Sequence, residues 1–175
     1  MQINRFTIGV AAIVLLALPL HSHAWPRVGA SAGQGEQQAS GMVTGVADGD
    51  TLYVDLNGKS TRVRLAEIDA PEKKQAYGRL SEQSLRELVA KRQVSLTWRK
   101  IDQYGRPVVH VRVAGVDVNT EQVRRGYAWV YRQYSSDSRL VLIESQAKAA
   151  GLGLWADPHP VAPWEWRHAG RAQKD

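Results

Sequence analysis

No cysteine occurs among the 175 residues. That absence excludes disulfide bridges and thiolate metal sites, so stability has to come from packing and from any bound ions. There is no internal repeat, and so no sign of a solenoid or propeller. The apolar run near the start, Phe6 to Leu20, covers 15 residues, short of the roughly 20 that a membrane-spanning helix needs. Arg5 precedes that run, and Ser22-His23-Ala24 follows it with small residues at the two positions a signal peptidase reads. The expectation is a signal peptide over residues 1–24, cleaved after Ala24, and a secreted or periplasmic protein. The competing expectation is an uncleaved N-terminal anchor.

What is present divides unevenly along the chain. Residues 29–41 hold Gly, Ala, Ser and Gln with one Glu and no apolar period, which reads residues 25–40 as a flexible leader. Leu52, Val54 and Leu56 alternate with other residues, and Val63 and Leu65 do so after Asn57-Gly58, a strong hairpin signal because both positions tolerate positive φ. This alternation predicts Arg64 on the face opposite the apolar stripe. Met42 to Ala47, Val94 to Trp98 and Val109 to Val113 supply three more strand patterns. Helical spacing appears over 79–92, after a capping pattern at Asn119, and from about Asp137 to Ala150. Residues 156–175 look different: Pro158, Pro160 and Pro163 speak against regular structure, and Trp164-Glu165-Trp166 precedes Arg167, Arg171 and Lys174. Two readings stay open for this Pro/Trp-rich basic tail, a nucleic-acid-stacking segment or a strap whose tryptophans pack on the domain, the strap being preferred.

The formal charge is +6, and loss of Arg5 with the signal would leave +5. A basic field favours polyanions in general. More specific is the order of charged residues: Asp48-Gly49-Asp50-Thr51, Arg64, Ile68-Asp69-Ala70-Pro71-Glu72, then Tyr104-Gly105-Arg106. Carboxylates at the ends of two paired strands can face one hard cation, which asks for oxygen ligands. A carboxylate not used for the cation can accept a proton from an attacking water or order that water. An arginine can meet two oxygens of a phosphoryl group at once, which lysine cannot.

This order resembles the thermonuclease (staphylococcal nuclease-like) family, over roughly Gly41 to Trp155. The resemblance implies an α+β, mainly β fold, a five-stranded OB-fold Greek-key barrel with three helices, occupying residues 41–155 between the leader and the tail. It implies a Ca²⁺-dependent endonuclease that hydrolyses DNA and RNA with low sequence specificity and leaves 3′-phosphate ends. Asp50, Asp69 and the backbone carbonyl of Ala70 would hold Ca²⁺, with Asp48 acting through water. Glu72, Arg64 and Arg106 would be the catalytic set. Tyr104 and Tyr134 match family aromatics in the substrate pocket, while Arg132 stands where the best-known member has another tyrosine. His110 and His159 are isolated and read as ordinary histidines. The alternative is an OB-fold module that binds nucleic acid without cutting it, and a third is an exported metal-binding domain for which paired arginines would have no use. Nothing names a stable protein partner; a monomer, free of the membrane after signal cleavage, is expected.

Overall fold

The computed structural model describes residues 35–172; the expected signal peptide and most of the leader lie outside them. Five strands make a closed barrel: β1 (Gln37–Asp48), β2 (Thr51–Leu56), β3 (Lys59–Leu65), β5 (Gln93–Ile101) and β6 (Pro107–Val113). Their order is β3-β2-β1-β5-β6, and β3 closes the ring by pairing parallel to β6 at Arg64↔Val108 and Leu65↔Val109. The remaining strands are two-residue pieces: β4 (Ile68–Asp69) pairs with β8 (Trp129–Val130), and β7 (Val116–Asp117) extends β6.

The alternation of apolar residues explains the barrel. Leu52, Val54, Val63, Leu65, Val94, Leu96, Val109 and Val111 all point inward and are at most 1% exposed. Each such side chain stabilises the fold by about 1.5–3 kcal/mol relative to exposure. The β2–β3 hairpin turns at Asn57 (φ 56°) and Gly58 (φ 82°), with the Gly58 N–H donating to the Asp55 carboxylate at 2.7 Å.

Three helices stand where the periodicity puts them: α1 (Gly78–Val89), α2 (Val118–Arg124) and α3 (Ser138–Ala149). α1 buries Leu85, Leu88 and Val89 against the barrel. The sequence departs from expectation at three points. β1 starts at Gln37, inside the expected leader, because Gln37 to Met42 pair with β5 from Trp98 to Gln93; backbone pairing needs no apolar period. Asn119 does not cap α2. Asp117 does, accepting from the Thr120 N–H at 2.9 Å, while Asn119 is buried and clamps the backbone of Ala66, Val109 and Val111. Finally, the tail is not irregular: a fourth helix, α4 (Pro163–Ala172), follows a 3-10 turn at Gly153–Ala156. Pro163 opens that helix, where its missing N–H is no loss.

Candidate active site

The β2–β3 register sets Arg64 opposite Thr51, and the Leu65 N–H donates to the Asp50 carbonyl at 2.8 Å. The Asp48-Gly49-Asp50 turn therefore meets the end of β3, and β4 brings Asp69 beside it. Gly49 is required by packing, since a Cβ there would lie 1.8 Å from the Ser81 hydroxyl of α1. Gln122 of α2 fixes the same point. Its amide donates to the Gly49 carbonyl at 2.8 Å and the Ser81 carbonyl at 3.2 Å, and accepts from the Ser84 hydroxyl at 2.6 Å.

Arg64 bridges the two central carboxylates. Nη1 donates to Asp50 Oδ1, and Nη2 donates to Asp69 Oδ1 at 2.8 Å and to the Ile68 carbonyl at 3.3 Å. Asp50 also accepts from the Ala70 N–H at 2.8 Å and the Thr51 hydroxyl at 3.0 Å. Burial pushes the Asp50 carboxyl up, but the Arg64 charge and these hydrogen bonds outweigh it and hold it below the ordinary value. Asp48 receives less help: burial first, then the charge of Asp50, pushes it up to about 6. Asp69 is also raised, chiefly by burial and then by Asp50, against the hydrogen bond it accepts from Arg167.

Arg167 was not among the residues that the sequence marked for the site. From α4, its Nη2 donates to Asp69 Oδ2 at 2.7 Å and its Nη1 donates to Asp69 Oδ1 at 3.2 Å and Glu72 Oε1 at 2.9 Å. A helical period of Trp164, Arg167, His168 and Arg171 was legible in the sequence, but the three prolines argued against a helix there.

Arg106 arrives through the barrel closure, one residue ahead of β6. It does not touch the carboxylate cluster; Asp102 holds it, accepting from Nε at 2.8 Å and from Nη2 at 2.7 Å. Tyr104 in the same turn is 74% exposed, with the Arg106 guanidinium 5.3 Å from its ring centre. Tyr134 is exposed, packed edge-on to Tyr131, with Lys100 of β5 over its ring. Asp48, Asp50, Arg64, Glu72, Tyr104, Arg106, Tyr134 and Arg167 line one cleft of about 960 Å³; Asp69, 0% exposed, lies beneath Arg64 and Arg167. Arg132 is not with them. It turns to the buried Glu144, 2.7 Å away, which also accepts from Lys148 and the Val130 N–H. His110 borders the cleft 3.8 Å from Glu67, and His159 stands elsewhere on the surface.

At and just beneath the floor of the cleft four carboxylates, Asp48, Asp50, Asp69 and Glu72, thus stand against two guanidiniums, Arg64 bonded to Asp50 and Asp69 and Arg167 bonded to Asp69 and Glu72. Among the described residues no three acidic or histidine side chains converge on one cation position, because Arg64 itself lies between Asp50 and Asp69. The donor set nevertheless fits a hard divalent cation: it is all oxygen, and the charge of Asp50 adds to burial in raising Asp48.

Comparison with known proteins gives the same outline. A family described as staphylococcal nuclease homologue matches residues 62–157. The chain is 46% identical over 129 residues to an uncharacterized endonuclease of Escherichia coli O157:H7, covering 73% of this chain and 84% of that protein. It is 44% identical over 126 residues to an uncharacterized endonuclease of Haemophilus influenzae, covering 71% of each. It is 38% identical over 142 residues to a micrococcal nuclease of Shigella flexneri, covering 75% and 82%.

Proposed function

The chain belongs to the staphylococcal nuclease family and is a phosphodiester hydrolase, and from that premise we propose that it is an exported, Ca²⁺-dependent endonuclease acting on DNA and RNA with low sequence specificity. The observation that carries the reading is the Arg64 bridge: one guanidinium binds Asp50 and Asp69 together at the floor of a cleft that also holds Glu72 and Arg106.

Asp50, Asp69 and the Ala70 carbonyl would hold Ca²⁺, with Asp48 alongside. When bound, the cation supplies positive charge next to the phosphoryl oxygens as negative charge builds on them. Every other step belongs to side chains. Glu72 takes the proton of the attacking water, or orders that water, as its oxygen adds to phosphorus. The bond from phosphorus to the 5′-oxygen breaks, and that oxygen gains a proton, leaving a 3′-phosphate on the other product. Arg106 has donors beyond those it gives Asp102, and Arg64 has donors beyond those it gives the carboxylates, so both can reach for phosphoryl oxygens. Donors in place before the reaction need little reorganisation as charge develops.

The deciding experiment incubates purified chain with supercoiled DNA in Ca²⁺, Mg²⁺ or EDTA. Nicking and linearisation in Ca²⁺, much weaker in Mg²⁺ and absent in EDTA, is the expected pattern, because Mg²⁺ demands stricter octahedral geometry and sheds its waters reluctantly. Undiminished cutting in EDTA would refute the cation role. Export rests on residues 1–24, outside the described structure. Mass spectrometry of exported protein should find Trp25 at the N-terminus, and recovery of uncleaved chain in membranes would replace the signal with an anchor.

A further inference from the structure

Helix α4 lies beyond the segment that matches the family, yet it borders the cleft. Trp164, Arg167, His168 and Arg171 recur at intervals of three, four and seven residues from Trp164, so they share one face of the helix. All four line the cleft. The helix is anchored at its start: Ala162 and Pro163 are buried, Gln75 donates to the Val161 carbonyl at 2.7 Å, and the Trp164 ring lies parallel to Tyr131 within 5° and edge-on to Trp129. Arg167 ties the next turn to Asp69 and Glu72. The third turn reaches the cleft with charge to spare. Arg171 has no carboxylate partner among the described residues, and its guanidinium lies 3.2 Å from His168 Nδ1.

We infer that α4 is a second wall of the substrate cleft, and that Arg171 with His168 takes a backbone phosphate of the polynucleotide next to the one being cut. The occupant follows from charge and continuity. Basic groups rim an acidic floor, and a rise of about 6 Å over four helical residues sets Arg171 one step along the cleft from Arg167. A polyanion with regularly repeated charges fits that spacing, whereas an acidic protein surface has no reason to enter past Trp164 and Tyr131. Base–aromatic stacking and cationic grooves together are the usual means of holding such a strand.

The inference rests on the nuclease reading only for the word substrate, and its test can be read apart from cleavage. Binding of a fluorescent 20-nucleotide strand is measured in EDTA across a salt series, for the parent, Arg171→Ala, Arg171→Glu and the distant surface variant Lys59→Ala. Loss of one phosphate contact should weaken binding several-fold in Arg171→Ala and lower the slope of log affinity against log salt by about 0.7. Arg171→Glu should be weaker still, and Lys59→Ala should match the parent. In Ca²⁺, the ratio of kcat/KM on the 20-mer to that on a dinucleotide should fall in the Arg171 variants, because a dinucleotide has no neighbouring phosphate. An unchanged slope, or equal losses in Arg171→Ala and Lys59→Ala, overturns the role of α4. A parent that binds the strand but never cuts it overturns the nuclease reading instead.

Discussion

Replacing Arg64 by alanine should affect stability as much as chemistry. Asp50 and Asp69 are 3% and 0% exposed, and among the described residues Arg64 is the one side chain that bonds to both. Removing one partner of a buried ion pair costs about 3–5 kcal/mol, because the other charge stays buried. Asp69 retains Arg167, and Asp50 retains the Ala70 N–H and the Thr51 hydroxyl. The lower end, about 3 kcal/mol, is therefore the appropriate figure. At about 2–4 °C per kcal/mol for a protein of this size, Arg64→Ala should melt about 6–12 °C below the parent in EDTA. Ca²⁺ should recover part of that loss, since a divalent cation restores the missing positive charge beside the same two carboxylates. Adding Asp50→Asn should also recover part, because it removes the stranded charge. Circular dichroism melts of the parent, Arg64→Ala and the double variant, with EDTA or Ca²⁺, make the comparison. Refutation would be an Arg64→Ala protein melting within about 2 °C of the parent in EDTA, or a double variant less stable than the single one.

Other changes separate chemistry from scaffold. Arg106→Ala should lower turnover by about 10²–10³ and Glu72→Gln by about 10²–10⁴, with melting near that of the parent; steady-state rates on DNA at saturating Ca²⁺ decide, and parental rates in both would remove them from the catalytic set. Gln122→Ala should cost about 1–3 kcal/mol by leaving the Gly49 and Ser81 carbonyls without their buried donor, read as a lower denaturant midpoint; an unchanged midpoint would mean that the bonds are replaceable. The pH response of cation binding follows from Asp48, whose carboxyl titrates near 3.8 ordinarily and about 6 in the cation-free fold. Its folded pKa is raised, so its contribution to stability is full below about 3.8 and disappears as pH rises through about 6. A cation that needs the ionised carboxylate binds more tightly as pH rises through the same window. Ca²⁺ should accordingly raise the melting temperature more at pH 7.5 than at pH 5, and the reverse order would count against Asp48 lying beside the cation.

The strands were legible because they alternate cleanly and because Asn57-Gly58 marks a hairpin without ambiguity, whereas their closure into a barrel was implied by the family resemblance. The β1 extension from Gln37 was not, since Gln, Ala and Ser carry no pattern and join the sheet through backbone alone. Asn119 looked like a cap because its chemistry suits one; only the packing of α2 against Ala66 and Val109 reveals a residue that satisfies buried backbone instead. In the site, Asp48, Asp50, Arg64, Asp69 and Glu72 stand together where their order along the chain suggested. Arg132 is drawn away by Glu144, a buried carboxylate whose need for a cation no local pattern announces. Arg167 lies 95 residues from Glu72 in sequence, a distance that pattern reading cannot bridge, and its helix was hidden by a proline that in fact begins it.

The parallel contact between β3 and β6 has a kinetic side. Arg64 and Val108, 44 positions apart, meet only when the ring shuts, and the loop-closure entropy of such a contact comes due before its reward. Arg64 sits on one side of that seam, and Arg106 enters the cleft through the other. A chain with every strand formed but the seam open would lack Arg106 at its place in the cleft. With the role proposed for Arg106, cutting activity during refolding should return only once this seam has closed, later than the signal of β-structure; simultaneous recovery of the two would count against that dependence.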